Sequence, residues 1–196
     1  WMLATTVDGY EGCGRGFAIH FVEWAERTFA HVKMHTLQDP IRWLTGDPLE
    51  HWLQQALLLN AAPRQLTQSI DSGVYHASEL PEDALHQAFE LLLEAHYQSS
   101  PNDLKLLLDE PQHYLYLHVN NGSVIAVAWL ALEGPLADDL ALQVQLGKRR
   151  PAGNLLPQSL TYFLQSPRLA ALRWCRVSRI AVQESHRRQH IASNVL

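Results

Sequence analysis

The chain has 196 residues, 47% of them hydrophobic, which is enough apolar material for one large or two modest domains and too much for a disordered chain. A formal net charge of −5 excludes wholesale electrostatic capture of nucleic acid, so any RNA contact needs a local basic patch. Cys13 and Cys175 supply neither a disulfide framework nor metal spacing, no apolar run approaches the roughly 20 residues that cross a bilayer, and the start lacks signal-peptide organisation, so a cytoplasmic protein without membrane contact is expected.

Residues 1–60 read as one segment. An apolar start and the cluster Gly12-Cys-Gly-Arg-Gly16 lead into residues 17–29, where Phe17, Phe21, Trp24, Ala25 and Thr28 have helical spacing. Asp39-Pro40 interrupts, and Asp47-Pro48 opens a helix to Leu59 with Glu50 in its first turn. Short strands alternating with helices suit an α/β lobe. Residues 61–73 lose periodicity and gain breakers, which marks a linker.

Beyond it, Ser78 is predicted to cap a helix with Pro81 in its first turn and Leu85, Phe89, Leu92 and His96 along one stripe. A second helix follows Ser100-Pro101, carries Leu104, Leu107 and Leu108, and ends before Pro111. Strands over 114–119 and 124–132 flank Asn120-Asn-Gly122, whose Asn-Gly pair supplies the positive φ of a tight hairpin. Helices near 137–147 and 157–165 follow, separated by a loop containing Lys148-Arg-Arg-Pro151 and Gly153. A short β-branched strand over 175–182 then turns sharply into a helix over 187–196, with Ile191 and Val195 four apart. Free N–H groups at such a helix start attract anions such as pyrophosphate.

Other candidate groups have plainer readings. His31 and His35 are four apart, but residue 32 is Val rather than the Glu of a zinc motif, so no metal is assigned. The glycine cluster at 12–16 lacks the Lys-Ser/Thr of a phosphate loop. Glu82-Asp83 and Asp138-Asp139 fall at helix starts, where acids complement the dipole. Lys148, Arg149 and Arg150 form either an RNA-phosphate contact or a solvated loop. Tyr114, Tyr116 and Trp129 are assigned to the core, and the histidines to structural roles.

Arg187-Arg-Gln-His-Ile-Ala192 resembles the Arg/Gln-x-x-Gly-x-Gly/Ala signature of GNAT acetyltransferases, and Arg179-Ile-Ala-Val182 matches the strand before it. Residues 5–17 and 40–53 resemble the helicase-like module of the bacterial tRNA(Met) cytidine acetyltransferases. The resemblance covers nearly the whole chain. It implies an α/β chain in which 1–60 are the C-terminal end of a RecA-like helicase lobe, 61–73 a linker, and 74–196 the N-terminal part of a GNAT domain with a mixed sheet and flanking helices. The chain then reads as an internal fragment, truncated in the cofactor-binding helix and inactive by itself.

The resemblance further implies acetyl-CoA as cofactor. Its pantetheine arm would pair with the backbone of Ile180, Ala181 and Val182 as an adjoining strand does. Its pyrophosphate would lie among the N–H groups of Arg188, Gln189, His190, Ile191, Ala192 and Ser193, with charge from Arg187 and Arg188. ATP, with magnesium, would meet Arg42, whose forked donors suit phosphate; Arg15 would face the same cleft. The implied reaction is acetylation of the N4 amine of the wobble cytidine of tRNA(Met), coupled to ATP hydrolysis, with no residue assignable as base. The alternatives are a GNAT enzyme acting on a protein or small amine, and a non-catalytic CoA- or RNA-binding module. His190 stands where the signature has its first glycine; its side chain either restricts the cradle or, at negative φ, donates a ring N–H to phosphate.

Overall fold

Asp47 starts the first complete helix as its sequence suggests. Its Oδ1 accepts from the N–H groups of Leu49 and Glu50 at 2.8 and 3.2 Å, and α1 (Pro48–Ala56) follows with Pro48 in its first turn. The structure, a computed structural model, describes residues 24–35, 37, 41, 43–56, 65–95 and 101–195. Of the helix expected over 17–29, residues 24–28 are helical and 17–23 lie outside the described residues, as do 57–59 at the end of the α1 prediction.

A four-stranded sheet, ordered β1-β2-β3-β4, organises the rest: β1 (Gly73–His76), β2 (His113–Asn120), β3 (Ser123–Glu133) and β4 (Trp174–Val182). All three pairings are antiparallel. The hairpin between β2 and β3 turns on Asn121 and Gly122, with φ of 50° and 72°, which matches strand twist as a two-residue loop requires. β1 is absent from the sequence reading because four residues carry too little alternation to stand out. Its residue His76 then caps a 3-10 turn, Ala77–Glu79: the ring accepts from the Ser78 N–H, and the Glu79 carboxylate accepts from the His76 N–H. Ser78 therefore lies inside that turn and does not cap the helix, α2 (Glu82–Ala95), which begins after Pro81.

One face of the sheet presents Leu115 and Leu117 from β2 and Val127 and Trp129 from β3. Against it pack Ala84, Ala88, Phe89 and Leu92 of α2 and Leu104 and Leu107 of α3 (Pro101–Asp109). Burying side chains such as Phe89, Leu92, Leu107, Leu115 and Leu117 stabilises by roughly 1.5–3 kcal/mol each. The expected α2 stripe is rotated: Leu85 is half-buried, while the alanines lie deepest and let the helix approach the strands closely. Leu66 and Ile70, from the aperiodic stretch before β1, pack on the same core, and Thr67 donates to Asp83 through its N–H and its hydroxyl.

Between β3 and β4 lies an excursion with a small core of its own, Leu136, Ala141, Val144 and Ala170. It carries α4 (Asp138–Gln145) and α5 (Leu155–Leu164). α5 begins two residues before its prediction because Pro157 occupies the first turn, where an N–H has no intrahelical acceptor. After β4, a 3-10 turn (Glu184–His186) leads to α6 (Ile191–Val195). The helix expected from residue 187 starts only at Ile191, since Arg188 and His190 have φ of 64° and 59°, outside the helical region.

Candidate functional site

β4 pairs with one strand among the described residues, so its other edge faces outward. The direction of each backbone group follows from the ladder. The N–H of Gln183 donates to the Ile125 carbonyl at 2.8 Å, and Ala181 stands opposite Val127, so strand alternation engages Ala181 and Gln183 with β3. Ile180 and Val182 then turn their N–H and C=O groups to the open edge. Of the three strand residues expected to pair with a ligand, the edge thus offers Ile180 and Val182, while Ala181 is occupied by β3.

Further up the strand the register slips. Trp129 faces Arg179 and Leu130 faces Val177, so Ser178 is an extra residue. The N–H of Leu132 donates to the Gln112 carbonyl on the β2 side, and by alternation Leu130 also turns towards β2. Val177 and Ser178 therefore have no ladder partner on β3. The Ser178 hydroxyl is buried without a hydrogen-bond partner among the described residues.

At its other end β4 runs into a depression of ≈ 410 Å³ lined by Val182, His186, Arg187, Arg188, His190, Ile191, Ala192 and Ser193. Seven of these are in the sequence-predicted strand and turn or continue it, and His186 joins them. Gln189 is the exception: its side-chain amide turns back to the Ser185 carbonyl. The first backbone bond of α6 runs from the Asn194 N–H to the His190 carbonyl at 3.1 Å, which leaves the preceding N–H groups free of intrahelical acceptors. Positive φ at Arg188 and His190 alternates with ordinary backbone, the pattern that turns successive N–H groups into a concave anion-binding nest. The negative-φ option for His190 is thereby overturned. Arg187 folds its Nε back to the Val182 carbonyl at 3.3 Å, which ties the turn to the strand end.

A polar network missed by the sequence reading flanks the bulge. Glu133, 5% exposed, accepts from Arg176 Nε at 2.6 Å and from the Leu156 N–H at 2.7 Å. Arg179 pairs with Asp103 at 3.1 Å and lies over the Trp129 ring. The Trp129 Nε1 donates to His113 Nδ1 at 2.8 Å, a bond that only a ring unprotonated at that nitrogen accepts. Burial first, and the Arg176 guanidinium second, hold the His113 pKa below its ordinary value, in keeping with that role. The available signals were a glutamate closing an apolar run at 133 and two arginines inside a β-branched strand.

Other candidates resolve simply. Arg42, Arg15 and the glycine cluster lie outside the described residues. Lys148, Arg149 and Arg150 are exposed. Trp129 is in the core, and Tyr114 and Tyr116 are half-buried. Among the described residues no group of His, Cys, Asp and Glu forms a metal-binding cluster, and no helix is long and apolar enough to cross a membrane.

Residues 87–196 match the family model described as GNAT acetyltransferase 2, and residues 1–60 match that of RNA cytidine acetyltransferase NAT10/TcmA, helicase domain. Among curated proteins, the chain is 54% identical over 198 residues to the tRNA(Met) cytidine acetyltransferase TmcA of Idiomarina loihiensis, covering 100% of this chain and 32% of that protein. It is 39% identical over 199 residues to the protein of the same name from Photorhabdus asymbiotica, covering 100% and 29%. For that from Salmonella typhimurium the values are 38% over 202 residues, with 100% and 29% covered. The chain thus spans about a third of the length of these relatives.

Proposed function

Because the chain belongs to the GNAT acetyltransferase 2 family, we propose that β4 and the turn after it hold acetyl-CoA. On this reading, the protein carrying the chain acetylates the N4 amine of the wobble cytidine of tRNA(Met) with ATP hydrolysis. The observation that carries it is the continuity of one surface: the outward backbone of Ile180 and Val182 runs directly into the nest of N–H groups at residues 188–193. A pantetheine arm is rich in amides and suits an open strand edge, and a diphosphate suits the nest. When bound, acetyl-CoA supplies an acyl group already activated for transfer to an amine.

The chain's own part is orientation. Val182 and Ile180 fix the arm's direction, Arg188 adds positive charge beside the nest, and Arg187 braces the turn against the strand. Val177 and Ser178 lie four to five residues before Val182, about 13–17 Å along the edge at roughly 3.3 Å per residue. Their unpaired backbone groups sit where the acyl end of the arm would come to rest. Holding the acyl group and an unstacked cytidine in one geometry removes the translational cost of bringing them together. The helicase-like match over residues 1–60 supports ATP use, with Arg42 as the phosphate-contacting candidate, and supports a soluble, cytoplasmic setting for the reaction.

The test is acetyl transfer by the protein carrying this chain to tRNA(Met) transcript, with N4-acetylcytidine read by mass spectrometry, with and without ATP. Product that requires both tRNA and ATP supports the reading. Transfer to a protein or small amine regardless of RNA and ATP replaces it with the second reading, and CoA binding without any transfer replaces it with a binding module.

A further inference from the structure

The two arginines of β4 bracket the bulge, and each is held by an acid from a different element. On one side Arg176 meets Glu133, the last residue of β3, whose carboxylate is nearly enclosed and anchored by the Leu156 N–H. On the other, Arg179 meets Asp103 in the first turn of α3 and lies 5.3 Å from the centroid of the Trp129 ring. Between them Val177 and Ser178 have no ladder partner on β3, and nothing in the strand pairing itself fixes their direction. A two-residue bulge in an edge strand is free to relax unless its flanks are fixed.

We propose that the pairs Arg176–Glu133 and Arg179–Asp103 are positioning contacts: they clamp the bulge so that the backbone of Val177 and Ser178, with the buried Ser178 hydroxyl, receives the acetyl group of acetyl-CoA. This rests on the acetyl-CoA reading above and specifies which residues distinguish the acetylated cofactor from free CoA. The diphosphate end is held separately at residues 188–193, beyond the far end of the strand. Loosening the bulge therefore alters recognition of the acetyl group and leaves the grip on CoA intact.

Glu133→Gln removes the charge facing Arg176 while its amide oxygen still accepts from Leu156; Asp103→Asn does the same on the other flank at a partly solvated site. Calorimetric titration of the protein carrying this chain with acetyl-CoA and with CoA gives the ratio of the two affinities. In each variant the acetyl-CoA to CoA ratio falls by roughly three- to tenfold, the scale of one lost hydrogen bond to a positioned group, while CoA affinity is kept. An unchanged ratio overturns the proposal, and so does an equal fall in both affinities, which marks the pairs as general scaffolding. If Glu133→Gln fails to fold, Asp103→Asn decides the matter. A parent protein that binds neither ligand overturns the acetyl-CoA reading itself, and the clamp with it.

Discussion

Replacing His190 with glycine separates the backbone of the turn from its side chain. His190 sits at φ 59°, where an L residue's Cβ crowds the neighbouring carbonyl at about 1–2 kcal/mol. Glycine carries no such cost in the folded turn but gains about 0.5–1 kcal/mol of freedom in the open chain, so the net benefit is roughly 0.5–1 kcal/mol. That benefit enlarges the fraction of molecules whose turn is already shaped for diphosphate, and the apparent dissociation constant falls in proportion. For acetyl-CoA titrated into the protein carrying this chain, His190→Gly binds about two- to fivefold more tightly by calorimetry. His190→Ala is the control, since it removes the ring but keeps Cβ and the positive φ, and it gains nothing. Unchanged or weaker binding by His190→Gly refutes the reasoning and makes the imidazole itself a phosphate contact. An equal gain in His190→Ala also refutes it, because the obstacle is then the ring and not the backbone.

Three further outcomes follow from contacts away from the turn. The Asp83 carboxyl is held below the usual carboxylate range, first by the Thr67 hydroxyl and then by the Thr67 N–H, so its contribution to stability is complete above about pH 4 and lost as pH falls through the folded value. Thr67→Val destabilises by about 1–2 kcal/mol in urea unfolding at pH 7, a difference that shrinks in acid; equal losses at pH 7 and pH 3 contradict the assignment. His113, also depressed, is neutral in the fold, so stability falls as pH drops from about 6.5 towards its folded pKa; His113→Gln, which retains an acceptor for Trp129, flattens the pH dependence of the urea midpoint in that window. A Cβ on Gly134, at φ 73°, would lie 2.5 Å from the Leu172 carbonyl oxygen, so Gly134→Ala costs roughly 2 kcal/mol or more, and wild-type stability of that variant rules the contact out.

Local chemistry was legible in the sequence where it acts within a few residues. Asn121-Gly122 encodes its own turn, Asp47-Pro48 its own helix start, and the strand before Arg187 its own β-branched run. The cofactor turn was found because a six-residue pattern is contiguous, although its helix was placed four residues too early. Two successive departures into positive φ leave no compositional trace when the residues are Arg and His. What stayed hidden depends on partners remote in the chain: β1 exists because β2 pairs with it, the Ser78 cap was displaced by an imidazole acting as acceptor, and Glu133 and Arg176 meet across 43 positions. The bulge at Ser178 is a mismatch between two strands, and neither strand contains it alone.

The excursion over residues 134–173 stands on closely set feet. Glu133 faces Trp174 across the ladder, the Leu136 N–H reaches the Ala170 carbonyl, and Asn154 binds the Gly134 N–H. Its two ends are therefore already at hairpin separation, and replacing it with a tight turn, about tenfold shorter, would recover roughly 2 kcal/mol of closure entropy. Strand pairing would not have to change. Growth or trimming of this appendage is thus uncoupled from the sheet's registry, and its size is open to natural variation and to engineering alike, apart from the one carboxylate through which it is soldered to β4.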